Sequence, residues 1–215
     1  MNIIPKNTAS NKNRSKPTIN NSRFDIISET ITYSGKIFEI VQQKRNIEGK
    51  QITFEIARRS PGTRLLILRT IKNEKSKKQE QLLLTKEYRR ELNKYDYRLP
   101  GGKVFDTLLE YKNAIKTKED LLLFATNAAK KECLEETGLD AKTLDLYKIS
   151  KAGATIEWDL YYFIVKEFSK SKQNLEIGED ITLEWKSFDE VKLLCREGEI
   201  NEDRSVGVIL NFLNK

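Results

Sequence analysis

The most informative absence in this 215-residue sequence is histidine, which does not occur at all. Without histidine, Ser-His-Asp and Cys-His catalysis, phosphohistidine chemistry and histidine-ligated metal sites are all excluded. If the chain is a hydrolase, its general base must be a carboxylate, or else a lysine or a tyrosine. A bound metal ion would need oxygen ligands, and this requirement favours Mg²⁺, with Mn²⁺ as the alternative.

Cysteine is scarce, and long apolar runs are missing. Cys133 and Cys195 cannot by themselves form a disulfide framework or a four-ligand zinc site, which favours a reducing cytoplasm. No apolar stretch approaches the roughly 20 residues that cross a bilayer, and the N-terminus lacks the apolar segment of a secretory signal. We therefore expect a cytoplasmic protein with no membrane partner and one good-sized domain.

The net charge of +7 is concentrated at the N-terminus. Residues 1–24 contain no acidic residue, and their basic residues are Lys6, Lys12, Arg14, Lys16 and Arg23. This Asn-, Ser- and Lys-rich segment has little to bury, so we predict a disordered tail. A nucleic-acid-binding arm and a targeting segment are the alternatives. The rest of the chain is nearly neutral, which argues against a broad nucleic-acid surface.

Residues 25–215 are predicted to form a single domain in which strands and helices are intermixed. Apolar–polar alternation predicts three strands within residues 30–59, with turns at Ser34-Gly35 and Glu48-Gly49. Leu-rich segments at 64–71 and 80–88 predict two more deeply buried strands joined by a polar hairpin loop. Further strands are predicted at 145–150, 157–167 and 181–187.

Helical patterns lie between and after these strands. A short amphipathic helix is predicted from Asp106 to Ile115, and a second helix begins at a capping-box-like Thr117 with Asp120 and ends at Gly138. The segment SFDEVKLLCREG and the segment ending in VILNFLNK predict two more helices. This mixture predicts an α/β fold, a mixed sheet covered by helices on both sides.

The segment KKECLEETGL, residues 130–139, places Glu132, Glu135 and Glu136 on one turn at the end of a helix. Like charges at this spacing destabilise a helix, especially at its negative C-terminal end. On these residues alone, the cluster is either a solvated face neutralised by Lys130 and Lys131 or a site for a divalent cation.

The context of this cluster resembles the box that defines the Nudix hydrolase family. The turn Leu99-Pro100-Gly101-Gly102 is followed by a helix and by KECLEETGL, which matches the second half of the pattern G-x5-E-x7-R-E-U-x-E-E-x-G-U. The flanks ITYSGKIFEI, FEIARRSPG and GEDITLEW resemble ADP-ribose pyrophosphatase-type members, so the likeness spans about residues 26–213. It implies a Nudix α/β/α sandwich with a mixed sheet.

The sequence departs from the family pattern in three ways. The distance from Gly102 to Lys131 implies an insertion of about 15 residues, near 103–117. The position of the first glutamate of the box is occupied by Leu123, so this glutamate is missing or displaced, and Glu110 and Glu119 are the candidates to replace it. Lys131 replaces an arginine whose planar fork braces the carboxylates, and a lysine can act there only as a point charge.

The resemblance implies Mg²⁺-dependent hydrolysis of the pyrophosphate bond in a nucleoside diphosphate-linked small molecule. ADP-ribose, cleaved to AMP and ribose 5-phosphate, is the first substrate that it suggests. The implied metal ligands are Glu132, Glu136 and Glu135, together with the backbone carbonyl of Gly102. The metal would neutralise the diphosphate and orient the attacking water.

The same resemblance assigns the remaining roles. Glu157, at the start of a strand, is the leading candidate for the general base, and Glu135 is the other catalytic candidate. Arg89 and Arg58 are implied substrate-binding residues, and Arg58 matches a position that reaches across a dimer, so a homodimer is expected.

Arg98 stands where ADP-ribose relatives carry a glutamate, which keeps other substrates open. These are a nucleotide sugar, a dinucleoside polyphosphate and capped RNA. An alternative of another class is a non-catalytic Nudix-fold module that binds nucleotides or nucleic acid.

Overall fold

The computed structural model describes residues 26–72, 76–175, 178 and 180–214. The predicted disordered tail, residues 1–24, lies outside these ranges, as does part of the polar hairpin loop. The described strands are β1 (Ile26–Ser34), β2 (Phe38–Ile47), β3 (Lys50–Arg59), β4 (Gly62–Lys72), β5 (Lys78–Arg89), β6 (Lys94–Arg98), β7 (Leu139–Ala141), β8 (Asp145–Gly153), β9 (Ile156–Val165), β10 (Phe168–Lys170) and β11 (Ile181–Ser187). The described helices are α1 (Leu108–Lys116), α2 (Leu121–Thr137), α3 (Phe188–Glu197) and α4 (Asp203–Leu213).

One large sheet organises the described part of the chain. Its strand order is β1-β2-β3-β9-β4-β5-β11, with β6 paired to β5 and β8 paired to β9. Strand β9 runs parallel to β3 and β4, whereas the remaining pairings in this sheet are antiparallel. The predicted mixed sheet is therefore confirmed. The short strands β7 and β10 form a separate antiparallel pair.

The central strands are buried on both faces because alternate residues contact different helix layers. Leu65 and Ile67 pack with Ala125, Ala129 and Cys133 of α2, which recur at helical spacing. Their neighbours in β4, Leu66 and Leu68, pack instead with the apolar faces of α3 and α4. A helix layer thus covers each face, as the mixture of strand and helix patterns predicted.

Strands β1 to β3 form a more exposed antiparallel extension of this sheet. Every residue of β1 is exposed, and apolar side chains such as those of Ile31, Tyr33 and Phe54 face solvent. In the described part of the chain, the ladder between this extension and the central sheet comprises two residue pairs of β3 and β9.

The predicted insertion forms helix α1, which rests on this extension. The Leu108 N–H donates to the Lys36 carbonyl at 2.8 Å, and the Lys112 ammonium contacts the buried Glu39 carboxylate at 2.8 Å. The helix begins with a capping box formed by Thr107 and Glu110. Helix α1, within the segment predicted as an insertion, is thus folded against β2 and its preceding turn.

Two local predictions were wrong or incomplete. Helix α2 does not begin with a box between Thr117 and Asp120, because Asp120 alone caps it, and Thr117 ends α1 with its hydroxyl on the Asn113 carbonyl. Strand β6 was missed because its central residue, Asp96, is a fully buried carboxylate at a position where a strand pattern calls for an apolar side chain. Among the described residues, no helix combines the length and apolar content that membrane crossing requires.

Candidate functional site

The predicted glycine turn and the acidic end of α2 meet in the structure. The turn is held against β4, where the Leu65 N–H donates to the Pro100 carbonyl at 2.8 Å. It is also held against the end of α2, where the Gly101 N–H donates to Glu136 Oε2 at 2.8 Å. Gly101 has a φ of 145°, and a Cβ there would overlap the Thr63 carbonyl. A Cβ at Gly102 would overlap the Glu132 carboxylate. Glycine at both positions therefore lets the turn approach β4 and the helix end.

These elements border a cavity of about 300 Å³. One wall consists of Glu132, Glu135 and Glu136 beside the Gly101–Gly102 turn. The other part of the lining, the cationic wall, is rich in arginine and has side chains from β3, β4, β5, β6 and β9: Arg59, Arg64, Arg89, Arg98 and Trp158. The structure thus brings five predicted site residues into one cavity, namely Glu132, Glu135, Glu136, Gly102 and Arg89.

The acidic wall has the donor chemistry for a hard divalent cation, since all of its side-chain ligands are oxygen atoms. In the described part of the chain, however, no three acidic or thiol side chains are arranged to hold a metal ion. Each candidate has another contact: Glu136 binds the turn, Glu135 lies 3.3 Å from the Lys131 ammonium, and the Gly102 carbonyl accepts from the Thr63 N–H at 2.9 Å. Metal binding would compete with these contacts. The donor types fit Mg²⁺, whereas their present arrangement does not form a coordination shell.

Lys131 takes the bracing position as a point charge. Its ammonium contacts Glu135 but remains largely exposed, and the hydrogen bond to Glu135 raises the pKa of Lys131. The substitutes considered for the missing box glutamate do not line the cavity: Glu110 belongs to the α1 cap, and Glu119 accepts a hydrogen bond from Thr117. Leu123 itself is exposed.

The buried cation of the cationic wall, Arg64, is already neutralised. Arg64 is buried and forms a two-pronged contact with Glu202, with Nε at 2.8 Å and Nη2 at 2.7 Å from the two carboxylate oxygens. Burial would raise the pKa of Glu202, but the hydrogen bond and charge of Arg64 outweigh it and hold that pKa at about 2.

Arg89 and Arg98 are also held by carboxylates. Arg89 contacts Glu87 at 2.8 Å and Glu91 at 2.9 Å, and Arg98 contacts Asp96 at 2.7 Å. These pairs orient the two guanidinium groups at the cavity and reduce the net positive charge they offer to a ligand. Arg98, noted in the sequence as an unusual residue before the Leu-Pro turn, is thereby placed in the wall.

Arg59 is different, because it packs against an aromatic ring instead of a carboxylate. Its guanidinium carbon lies 4.2 Å from the centre of the Trp158 ring, and that of Arg204 lies at the same distance from this ring. The Arg204 Nη1 donates to the Trp158 carbonyl at 2.8 Å. Three buried nitrogens in this group have no hydrogen-bond partner within the described structure: Arg59 Nε, Trp158 Nε1 and Arg204 Nη2.

Glu157 and Arg58, two predicted site residues, are not among the described residues that line the cavity. They pair with each other where β3 meets β9, with Arg58 Nε 2.5 Å from Glu157 Oε2. Successive side chains of a strand point to opposite faces, so Glu157 lies on the face opposite to Trp158. Arg58 also contacts Glu29 at 2.8 Å and the buried Glu39 at 3.2 Å. Hydrogen bonds to Glu29 and then Glu157 raise the pKa of Arg58.

The sequence reasoning did not identify Arg59, Arg64, Trp158 or Arg204 as site residues. The signal for two of them was present, since Arg59 and Trp158 directly follow the predicted residues Arg58 and Glu157. Choosing between neighbours required the strand faces, which only the register of β3 against β9 shows.

The fold and this cavity define an α/β protein in which an acidic helix end and an arginine-rich wall line one cavity. No protein-family model matches the chain, and no curated protein matches it by sequence. Its structure is similar to the crystal structure of an ADP compounds hydrolase, with a TM-score of 0.64 and 16% sequence identity. The similarity covers 89% of this chain and 91% of that chain, and it shows that the two proteins share a fold.

Proposed function

We propose that this protein is a Nudix-type hydrolase that cleaves the pyrophosphate bond of a nucleoside diphosphate derivative. ADP-ribose, giving AMP and ribose 5-phosphate, is the first substrate to test. The observation that carries the proposal is that Glu132, Glu135 and Glu136 line one cavity together with the Gly101–Gly102 turn and an arginine-rich wall. The shared fold with an ADP compounds hydrolase supports the same class of substrate.

The two walls suit the two needs of this reaction. A diphosphate carries charge that the arginines can bind, and its cleavage needs a carboxylate that removes a proton from water. We assign Glu132, Glu136 and the Gly102 carbonyl to the binding of Mg²⁺ or Mn²⁺. When bound, the metal would neutralise the diphosphate and activate water.

We assign the general base to Glu135, one of the two sequence candidates. It lines the cavity, and its described ion-pair partner is the largely exposed Lys131. Glu157 is the alternative, but its carboxylate is bound by Arg58 outside the cavity lining. Arg89 is assigned to the substrate because its guanidinium lines the cavity, whereas Arg58 is occupied by three carboxylates of its own chain.

The proposal is tested by measuring product release from a panel of nucleoside diphosphate derivatives. The panel contains ADP-ribose, a nucleotide sugar, a dinucleoside polyphosphate and capped RNA, each with Mg²⁺, with Mn²⁺ and with a chelator. We expect metal-dependent cleavage of ADP-ribose. Cleavage of another member in its place would change the substrate, and absence of cleavage throughout would favour a nucleotide-binding module.

A homodimer is part of this proposal. The extension β1–β3 exposes apolar side chains, including Ile26, Ile31, Tyr33 and Phe54, on strands that continue the main sheet. Covering them with a second copy would remove this surface from water. Light scattering should give twice the mass of the chain, and an Ile31→Glu variant should shift this mass towards the monomer. A monomeric wild-type protein would contradict the dimer without affecting the chemistry.

A further inference from the structure

The group formed by Arg59, Trp158 and Arg204 combines positive charge with unused hydrogen-bond donors. Burial lowers the pKa of both arginines, and the charge of Arg64 lowers each of them further. Within the described structure, neither arginine has an ion-pair partner, and each leaves one buried nitrogen unbonded. A buried donor without an acceptor costs about 1–3 kcal/mol, more when it is charged. Such a group is stabilised by a ligand that supplies acceptor oxygens.

The position of the group fixes which ligand it can meet. Trp158 Nε1 lies 3.7 Å from the point where a Cβ on Gly62 would stand, and the Gly102 carbonyl oxygen lies 3.0 Å from that same point. The unused indole N–H is therefore close to the turn that contacts Glu132 and Glu136. Arg59 and Trp158 line the same cavity as these carboxylates.

The stacking around Trp158 distinguishes between two ligand classes. Indole rings often bind a nucleobase by stacking, but two guanidinium groups already lie over this ring, each at 4.2 Å. What the ring offers is its N–H edge, which donates to an oxygen and not to a flat aromatic ligand. The chemistry thus favours an oxyanion over a base.

We infer that Arg59, Trp158 and Arg204 bind a phosphoryl group of the substrate through their three unused N–H donors. This inference rests on the proposed function for the identity of the substrate, and it deepens that proposal by assigning one phosphoryl group to this triad. Trp158 contributes the edge of its ring and is not a stacking platform for the base.

The chain supplies its own control for this inference. Trp185, the other tryptophan, also has an arginine at 4.2 Å from its ring centre, Arg69. There the donor is satisfied, since Arg69 Nε donates to Gln81 at 2.8 Å, and neither residue is among those that line the cavity in the described structure. The two Arg–Trp pairs therefore share their stacking distance and differ in their free donors.

The test measures tryptophan fluorescence with inorganic pyrophosphate and adenosine as separate probes. A chelator is present, so that binding is measured in the absence of metal and of catalysis. A Trp185→Phe variant reports only Trp158, and a Trp158→Phe variant reports only Trp185. We expect pyrophosphate to change the fluorescence of the first variant in a saturable manner and to leave the second unchanged. Sodium chloride at matched ionic strength and adenosine should have no effect on either variant.

Calorimetric titration of pyrophosphate adds a measurement that does not depend on either tryptophan variant folding. Arg59→Gln and Arg204→Gln should each raise the dissociation constant about tenfold or more, because a charged hydrogen bond contributes about 1.5–3 kcal/mol. Arg69→Gln should leave it unchanged. The inference would be overturned if Arg69→Gln weakened pyrophosphate binding as much as the other two variants, or if Arg59→Gln left this binding intact. It would also be overturned if adenosine, and not pyrophosphate, changed the fluorescence of Trp158.

Failure of this inference and failure of the proposed function are distinguishable. Pyrophosphate binding that depends on Arg59, combined with no cleavage of any substrate in Mg²⁺, would retain the phosphoryl site and reject the hydrolase. Cleavage of ADP-ribose without Arg59-dependent binding of pyrophosphate would reject the site alone.

Discussion

Arg58 and Arg59 are consecutive residues of β3, yet their surroundings are opposite. Arg58 contacts the carboxylates of Glu29, Glu39 and Glu157, which come from β1, β2 and β9. Arg59 turns to the cavity, packs on an indole ring and keeps an unbonded buried nitrogen. A guanidinium whose N–H donors are bonded within the fold stabilises that fold, whereas one with unbonded N–H donors can bind a ligand. Arg58 and its three carboxylates are therefore a closed centre, in which the charges are paired within the fold. The cavity with Arg59 and the acidic helix end is an open centre, which has groups available to a ligand.

Substitution of a carboxylate in the open centre should have the largest effect on activity. We expect Glu136→Gln to reduce kcat/KM by about 10⁴-fold or more, because loss of the metal forfeits several kcal/mol of transition-state stabilisation. The amide can still accept from the Gly101 N–H, so the free energy of unfolding should change by no more than about 1 kcal/mol. Steady-state kinetics in saturating Mg²⁺ and urea denaturation check both parts. Near-normal turnover would remove Glu136 from the metal site.

The two candidates for the general base lie one in each centre, which makes them a direct test of the comparison. Glu135→Gln should lower kcat by about 10²–10⁴-fold with little change in KM. Glu157→Gln should leave kcat within about tenfold, below the usual contribution of a general base. Parallel kinetics of the two variants decide the assignment. A large loss in Glu157→Gln alone would transfer the role to Glu157, as the sequence first suggested.

Arg64 and Glu202 combine both situations, since a cavity-lining cation is neutralised by a carboxylate of the fold. Glu202→Gln should destabilise the protein by about 3–5 kcal/mol, because a largely buried Arg64 loses its partner. The control is Glu184→Gln, which removes a more exposed contact with Lys186 and should cost at most about 1 kcal/mol. Urea denaturation at neutral pH compares the two variants.

The pH dependence of this pair has a definite sign. The pKa of Glu202 is about 2 in the folded protein, against an ordinary value of 4.5. A depressed folded pKa stabilises the protein above 4.5, and this contribution is lost as the pH falls from about 4.5 towards 2. The difference in stability between wild type and Glu202→Gln should therefore shrink across this range. A constant difference would show that the contact does not depend on the charge of Glu202.

The N-terminal segment should have the smallest effect. Residues 1–24 carry five positive charges, at Lys6, Lys12, Arg14, Lys16 and Arg23, and little that could be buried. Deletion should leave both the urea midpoint and the hydrolysis of ADP-ribose nearly unchanged. Loss of most of the turnover would instead place this segment in the active site or the dimer.

Much of the fold could be predicted because local patterns and tertiary packing agree. The Leu-rich run of β4 indicated a more deeply buried strand, and Leu65 and Leu66 are indeed buried, each against a different helix layer. Gly138 was expected to end α2, and it adopts the left-handed conformation there, with a φ of 63°. The same reasoning did not predict β6, because its central residue Asp96 is a buried carboxylate. This burial is made favourable by Arg98 and by the backbone N–H of Asn201, which is distant in sequence.

From the sequence, the acidic side of the site was predicted in full, whereas Arg89 was the one residue of the cationic wall that was predicted. Glu132, Glu135 and Glu136 share a helical turn, so their spacing was enough to group them. The cationic wall is assembled from five strands, and Arg204 of α4, which contacts Trp158 of this wall, is far from Trp158 in the chain. No local pattern distinguishes Arg59 from Arg58, since their roles depend on which face of β3 each occupies.

The short ladder between β3 and β9, which has two residue pairs, has a consequence for how the molecule opens. A segment with few links to the rest can detach as a cooperative unit while the central sheet stays intact. Backbone amides of β2 should therefore exchange with deuterium sooner than those of β4 and β9, which could exchange only through global unfolding. The ion pairs of Arg58 with Glu157 and of Lys112 with Glu39 stabilise the attachment of this unit to the rest of the structure.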